Sequence, residues 1–423
     1  MKRKLQIWIA RMLEGNPFGG DDAERSVQIA EYLAEQGHQV TYFGTAFNHV
    51  TKEQDFPKTV FRRVRDNERA VMLHVPTTYK KNVSVNRYLY TIEQASLLRR
   101  IISNWKFEKP DLIFAATPTV ETCAVLEKYG KKEQVPVVVD MRDEWPDVFL
   151  SAFPQKLQPL AKMALVPLRR QAGNMFRSAD AIFAMSPSAL QFGLDYAGRE
   201  ATDLDAVIYI GREKYVPETE TRKRILQELG EKGVTKETWN ACLFTSLSKV
   251  SLDMDTVLDS ARKIHELHPE FRILIGGRGD DEARLREKAG DMDYVFFLGY
   301  LDEDYMSTVM SISKIGLMPY ANRTMENAWG NKVGQYFSYS LPILTSTNGV
   351  AKEYFEQYDC GLHYEEGKID SFTKVVLSLM NSPIQLENLS KNAEDRYLAD
   401  FEYANSMKQI EKSLLQVYEH YRG

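Results

Sequence analysis

The chain has few cysteines, no long apolar run and no surplus of basic charge. Only Cys123, Cys242 and Cys360 occur in 423 residues, far apart in sequence. That usage points to reduced, buried thiols rather than a disulfide framework or a metal site. No stretch of about 18 apolar residues exists, so no membrane-spanning helix is expected. Met1-Lys-Arg-Lys4 precedes only Leu5 to Ala10 before Arg11, too short an apolar core for a signal peptide. The formal net charge is −5, which argues against a nucleic-acid partner. There is no repeat at solenoid period and no low-complexity tract. A reducing cytoplasm is the expected compartment.

With 43% hydrophobic and 27% charged residues, the composition is that of a globular protein. Its length calls for two domains. Leu5–Ala10 reads as a first strand, followed by a loop with Gly19 and Gly20, a helix over 22–36 and a second strand over Gln39–Phe43. This is the opening of a Rossmann-type domain, but without the Gly-x-Gly-x-x-Gly fingerprint, which ranks a hydride-transfer enzyme last. Asp21 and Asp22 are better read as helix caps than as phosphate ligands. Gly19 and Gly20 let a substrate approach the backbone closely. After an irregular part containing Val71–Val75, a helix is predicted over 86–105. Strands follow at 111–115, 135–139, 180–184 and 207–210, with an amphipathic, basic helix over 159–178. A packed helix with snorkelling Lys and Arg is preferred there to an anionic-lipid contact.

Residues 211–238 read as linker plus surface helix. A second set of strands is predicted at 241–245, 271–275, 294–298, 315–318 and 343–344, separated by helices. The fold class is therefore α/β, with two doubly wound parallel sheets. His265 and His268 share a helical face without a third metal ligand nearby, and are read as surface residues.

Two stretches carry chemistry. The strand Val135–Val139 ends in Asp140-Met-Arg-Asp-Glu-Trp-Pro146, and strand C-termini in such sheets face the ligand crevice. Asp140, Arg142, Asp143 and Glu144 gather charge at that edge; the alternative is a buried Arg–Asp pair that orders the loop. The second stretch is Asn331-Lys-Val-Gly-Gln-Tyr-Phe-Ser-Tyr-Ser-Leu-Pro-Ile-Leu344. Its short helix places Asn331, Lys332 and Gln335 where free N–H groups bind an anion or polyol.

This second stretch resembles the donor segment of the family 4 glycosyltransferases, typically Asn/Ser-Lys-Leu-x-Glu-Tyr followed by Leu-Pro-Val. Asp140, Arg142, Asp143, Trp145 and Pro146 match a family Asp-x-Arg-Asp-x-Trp-Pro pattern. Phe47 and His49, Tyr79 and Asn82, and Arg87 resemble a bacterial subgroup like the fucosamine transferases of O-antigen synthesis, with Lys81 replacing a glycine. For His49 a capped loop histidine is the alternative.

The resemblance runs from Gly19 to about Gly361. It implies the GT-B architecture: an N-terminal acceptor-side domain over 1–210, a donor domain over 211–400, and a last helix, 401–423, packed back on the first. It also implies a retaining, hexosyl-type transfer from a UDP- or GDP-linked sugar across a cleft between the domains, without a metal or other cofactor. The acceptor would be a glycan or lipid-linked glycan in surface-polysaccharide synthesis, with peripheral contact at the inner membrane face left open. Asp143, Arg142 and His49 are the catalytic candidates. Gly19, Gly20, Tyr79, Asn82 and Arg87 are the acceptor-side candidates. Lys249 and Lys332 are assigned to the diphosphate, with N–H groups near Asn348 and Gly349. A solvated surface charge is the alternative for either lysine. Gly277 and Arg278, in the loop 276–279, are assigned to the base end. Gln335 stands where the family carries a ribose-binding glutamate, and Ala328 where it carries the partner glutamate, with Glu326 close by. Ser246–Val250 offers only Lys249 where the family has two cations. These departures keep a non-catalytic partner or scaffold subunit in view, and a sugar-nucleotide 2-epimerase shares the architecture.

Overall fold

The structure is a computed structural model. It describes residues 3–13, 17–18, 25–49, 51–81, 84–147, 150, 157–322, 329 and 332–423. Gly19, Gly20, Asp21, Asp22, Asn82, Glu326, Ala328 and Asn331 lie outside the described residues. The chain divides into two compact units, Met1–Tyr209 with Met407–Gly423, and Ile210–Ser406.

The first unit is built on β1 (Gln6–Ala10), β2 (Gln39–Thr45), β3 (Val60–Arg65), β4 (Glu68–Leu73), β5 (Leu112–Ala116), β6 (Val137–Met141), β7 (Ala181–Ala184) and β8 (Ala206–Val207). Their order in the sheet is β3-β4-β2-β1-β5-β6-β7-β8. The neighbours pair in parallel except β3, which runs antiparallel to β4. The irregular part read from the sequence is thus a hairpin. The reason it escapes notice is visible in β3, whose Phe-Arg-Arg is solvent-exposed and breaks any apolar alternation. By contrast β5 and β6 are buried along their whole length, as continuous apolar runs in a covered parallel sheet should be. Trp8 on β1 anchors the core: Phe43, Trp105 and Tyr129 lie 4.9–5.1 Å from it, centroid to centroid. The predicted amphipathic helix over 159–178 is two helices, Gln158–Ala164 and Val166–Ser178. Pro167 has no N–H for the carbonyl four residues back, so the first helix cannot run on through it. At the C-terminus, Glu411 lies 3.5 Å from His38 Nε2, and Gln416 donates to Asp203 O.

The second unit carries β9 (Trp239–Phe244), β10 (Phe271–Gly276), β11 (Val295–Gly299), β12 (Ile315–Met318), β13 (Ile343–Thr345) and β14 (Gly361–His363). The order is β11-β10-β9-β12-β13-β14, with parallel pairing throughout. The three-residue β14 was not anticipated. His265 is half-buried rather than a surface residue, its ring stacked 3.7 Å from that of Tyr294.

In both sheets successive strands are added first on one side and then on the other, the switch falling between β1 and β5 and between β9 and β12. Such a switch point leaves a crevice at the strand C-termini, where α/β proteins take their ligands. Cys123, Cys242 and Cys360 are buried free thiols. Among the described residues, no helix is long and apolar enough to cross a membrane.

Candidate functional site

In the first unit, Arg11 leaves the end of β1 and donates through Nη1 to the carbonyls of Thr117 and Pro118, past the end of β5. It therefore crosses the switch point. Two strands along, β6 delivers Asp140, which is fully buried. Arg142 Nε lies 2.5 Å from Asp140 Oδ2, and Arg25 Nη2 lies 3.9 Å from Oδ1. Arg142 also donates to Ser26 Oγ at 2.9 Å, and its backbone N–H to Thr117 Oγ1 at 3.2 Å. The guanidinium is thus engaged by the fold and fixes the start of the loop. Asp143 and Glu144 follow it and are exposed.

His49 stands on the loop after β2. Its Nδ1 is 2.6 Å from the Tyr79 hydroxyl, and Tyr79 packs with Phe47, Val75 and Tyr90 in a small buried cluster. Arg87, in the first turn of the helix Val85–Ser103, lies 5.9 Å from the Tyr79 ring centre and 5.6 Å from that of Trp145. The structure thereby joins His49, Tyr79 and Arg87 to the loop that follows β6. Burial pushes the His49 imidazole down to about 4, helped by the charges of Lys52, Arg87 and Arg11. His49 is accordingly neutral at pH 7, with Nδ1 turned to Tyr79. Arg11 and Lys52 were not singled out from the sequence. Arg11 reads there only as the end of an apolar strand, and Lys52 as one of several loop lysines.

In the second unit, Tyr336 places the short helix Lys332–Phe337 against the sheet. Its hydroxyl accepts from Phe244 N at 3.2 Å and lies 3.3 Å from Leu317 O, spanning β9 and β12. Gly316 makes room for it, since a Cβ there would come within 2.6 Å of the Tyr336 ring. The turn after the helix ends at Ser340, in the left-handed region at φ 56°, where Leu341 N closes on Tyr336 O. Lys332 Nζ lies 3.2 Å from the Tyr320 hydroxyl. Burial lowers the ammonium to about 8. No carboxylate pairs with it among the described residues. Across the switch point, Leu252 bridges to Tyr320, which holds the loop carrying exposed Lys249 beside the end of β12.

The loop after β10 is locked to the end of β11 and to the loop after β9. Gly277 N donates to Gly299 O, and Leu247 N to Arg278 O. A Cβ on Gly277 would overlap the Thr245 carbonyl, and one on Gly279 that of Leu247. Between these loops lies a cavity of about 420 Å3, walled by Phe244, Gly276, Gly277, Arg278, Tyr300, Leu301, Met306 and Gln335. Gly277, Arg278 and Gln335, chosen separately from the sequence, thus share one cavity. Asn348 stands apart in its bonding: its N–H is already taken by Asn322 Oδ1 at 2.8 Å. Gly349 heads the helix Val350–Tyr358, which has no side-chain cap. Its first N–H groups are the anion donors left on that element.

Residues 23–207 match the profile described as Glycosyltransferase Family 4, and residues 247–396 that of Glycosyl transferases group 1. Together the two matches mark the chain as a glycosyltransferase of the GT-B class. No functionally curated protein matches it in sequence. Among solved structures, sucrose-phosphate synthase from Thermosynechococcus elongatus superposes with a TM-score of 0.68 at 14% identity, over 99% of this chain and 100% of that one. HepE of Anabaena, in complex with UDP, gives 0.63 at 15% identity, over 97% and 100%. The α,α-trehalose 6-phosphate synthase of Burkholderia multivorans gives 0.63 at 13% identity, over 99% and 100%. At such identities these likenesses show the fold.

Proposed function

We propose that the chain transfers a sugar, with retention of configuration, from a UDP- or GDP-linked donor to a glycan or lipid-linked glycan. The setting we propose is bacterial surface-polysaccharide synthesis, in a subgroup like the fucosamine transferases. The observation that carries this reading is the second-unit cavity, where an apolar slot and a ribose-competent amide, Gln335, lie together at the strand C-termini. Phe244, Leu301 and Met306 supply apolar surface for a base, and Gln335 hydrogen-bonds a ribose hydroxyl. Lys332 and the N–H groups heading the helix Val350–Tyr358 meet the diphosphate charge and stabilise it as leaving group, with no metal required. The structures of HepE with UDP and with UDP-glucose support a nucleotide-sugar donor for this fold. In the first unit, Asp143 and neutral His49 face the acceptor, His49 accepting or donating through Nε2 while Tyr79 holds Nδ1.

Thermal-shift titration with UDP, GDP and their sugars tests this reading, since a ligand bound only by the folded chain raises its melting point. One base should give a clear shift, lost in Lys332→Ala. Asp143→Ala should lower kcat while leaving donor affinity intact; equal turnover of variant and parent would refute the role of this loop. Gln335 supports a second reading, a scaffold subunit, because a neutral amide holds a hydroxyl less strongly than a carboxylate does. That reading requires no shift with either diphosphate. Peripheral contact with the inner membrane face is supported by exposed Leu160 and Met163 beside Lys162, and flotation with anionic vesicles would test it.

A further inference from the structure

In the second unit the loops after β9, β12, β13 and β14 are tied into one frame by hydrogen bonds. Ala321 and Asn322, consecutive residues past the end of β12, hold one loop each. Ala321 N donates to Ser251 O at 3.0 Å and so holds the loop after β9, which carries Lys249. Asn322 holds the loop after β13: its Oδ1 accepts from Asn348 N at 2.8 Å, and its Nδ2 donates to Ser346 O at 2.8 Å. Glu366 and Gly367, past the end of β14, complete the frame. Glu366 Oε2 accepts from both Asn322 N and Asn322 Nδ2, each at 2.9 Å. Gly367 N donates to Asp253 Oδ2 at 2.9 Å, and Asp253 N to Pro319 O at 2.7 Å. A carboxylate only accepts, so Glu366 must face the Nδ2 side of the Asn322 amide. That choice turns Oδ1 to Asn348 N, and the bonds that enforce it are charge-assisted.

The helix Val350–Tyr358 begins just beyond Asn348. Its N-cap residue is Gly349, and no side chain caps its first turn. An Asp, Asn, Ser or Thr at that position would bond the first N–H groups and occupy them. Here the fixing bond falls one residue earlier, on Asn348 N, and comes from a different loop. Ser346 Oγ, donating to Tyr320 O at 2.7 Å, and Thr347 N, donating to Thr345 Oγ1 at 3.2 Å, hold the rest of the loop from the strand side. The approach to the helix is thereby fixed without a side chain being placed over its N-terminus.

We propose that Asn322, oriented by Glu366, is a positioning residue for the donor. It sets Asn348, and through it the N–H groups heading the helix Val350–Tyr358, where the donor's diphosphate is to lie. This deepens the transferase reading and rests on it. Asn322 acts through the loop it holds, and Glu366 acts through Asn322. Ala321, the neighbour of Asn322, ties the same frame to the loop of Lys249, so adjacent residues set that cation and the helix N-terminus. The arrangement needs an amide at 322, which alone offers both an acceptor to Asn348 N and a donor to Ser346 O and Glu366.

Calorimetric titration of the full chain with uridine, guanosine, UDP and GDP tests the proposal. The quantity read is the gain in affinity of a diphosphate over its own nucleoside. Asn322→Ala and Glu366→Ala should each cut that gain about fivefold or more, with nucleoside affinity kept within about twofold of the parent's. Removing the Glu366 charge would by itself raise the gain, so a fall isolates positioning from charge. Glu366→Gln keeps an oxygen for both Asn322 donors and should hold the gain at or above the parent's. Glu366 is exposed, so its variants should melt close to the parent, and they decide the matter even if Asn322→Ala folds poorly. A gain that survives in Glu366→Ala, or falls equally in Glu366→Gln, would overturn the proposal. So would an equal loss of nucleoside and diphosphate affinity, which marks a general disturbance of the cavity. A parent chain that binds neither diphosphate refutes the transferase reading, and the proposal with it.

Discussion

Lys332 Nζ lies 3.2 Å from the Tyr320 hydroxyl and 5.3 Å from the centre of that ring, so a half-buried cation rests on an aromatic side chain at the β9/β12 switch point. Burial lowers the ammonium to about 8, while the unfolded chain keeps its ordinary value near 10.5. Between those values the unfolded state holds more protons, so this group makes stability rise as pH climbs from 8 towards 10.5. Replacing the charge with an apolar chain of similar length removes the cost. Lys332→Met should therefore stabilise the ligand-free protein at pH 7 by about 2 kcal/mol, and weaken nucleoside diphosphate binding at least tenfold. Chemical denaturation and calorimetry read the two effects separately.

His49 gives a pH dependence in a different window. Its folded value, about 4, is below its ordinary 6.5, so the unfolded chain takes up the proton first on acidification. The stability contributed by the neutral ring is present above pH 6.5 and is lost as pH falls from there towards 4. Urea midpoints at pH 7 and pH 5 should differ more for the parent than for His49→Gln. The same drop in both would show that His49 does not titrate with the fold.

Arg142 and Asp140 form a pair that should not survive the loss of one member. Asp140 is fully buried and Arg142 Nε is 2.5 Å from it. Arg142→Met leaves that carboxylate with Arg25 at 3.9 Å as its nearest cation. A loss of roughly 3 kcal/mol is expected, as for other broken buried pairs. Because the same guanidinium orders the loop, the exposed Asp143 would also be displaced, and kcat should fall even at temperatures where the variant is folded. Turnover equal to the parent's under those conditions would separate the pair from the site.

Gly277 is required by geometry. It has φ 129°, and a methyl group there would overlap the Thr245 carbonyl. Gly277→Ala should cost roughly 3 kcal/mol, from backbone strain and overpacking together. If the loop shifts to make space, the cavity beside Gln335 changes shape, and affinity for the base should fall with stability. Gly230→Ala is the control: nothing lies near its Cβ, and the residue is helical.

Much of the fold could be read from short apolar runs. β5, β6, β9 and β10 are continuous hydrophobic segments because helices cover both faces of a parallel sheet, and such runs stand out from the charged helices between them. β3 was not legible, since an edge strand with Phe-Arg-Arg exposed needs no apolar pattern. The break at Leu165 was missed although Pro167 was in plain view, because the basic amphipathic pattern continues across it. On the site side, Gly277, Arg278 and Gln335 could be picked out singly. Nothing local says that residues about 60 positions apart share a cavity, because that depends on the pairing of β9 with β10 and β12.

By itself, the sequence determined the alternation of strand and helix, the absence of a spanning helix, and the two charged segments at 140–146 and 331–335, since each follows from residue type and spacing within a few turns of chain. The tertiary structure alone decided which charges meet one another. Arg142 is drawn onto Asp140 and Ser26, while Arg11 reaches the carbonyls of Thr117 and Pro118, and Lys52 that of His49, contacts that nothing along the chain announces. The physical reason is that charge acts through space: its effect depends on distance and burial, and neither is set until the sheet order is complete.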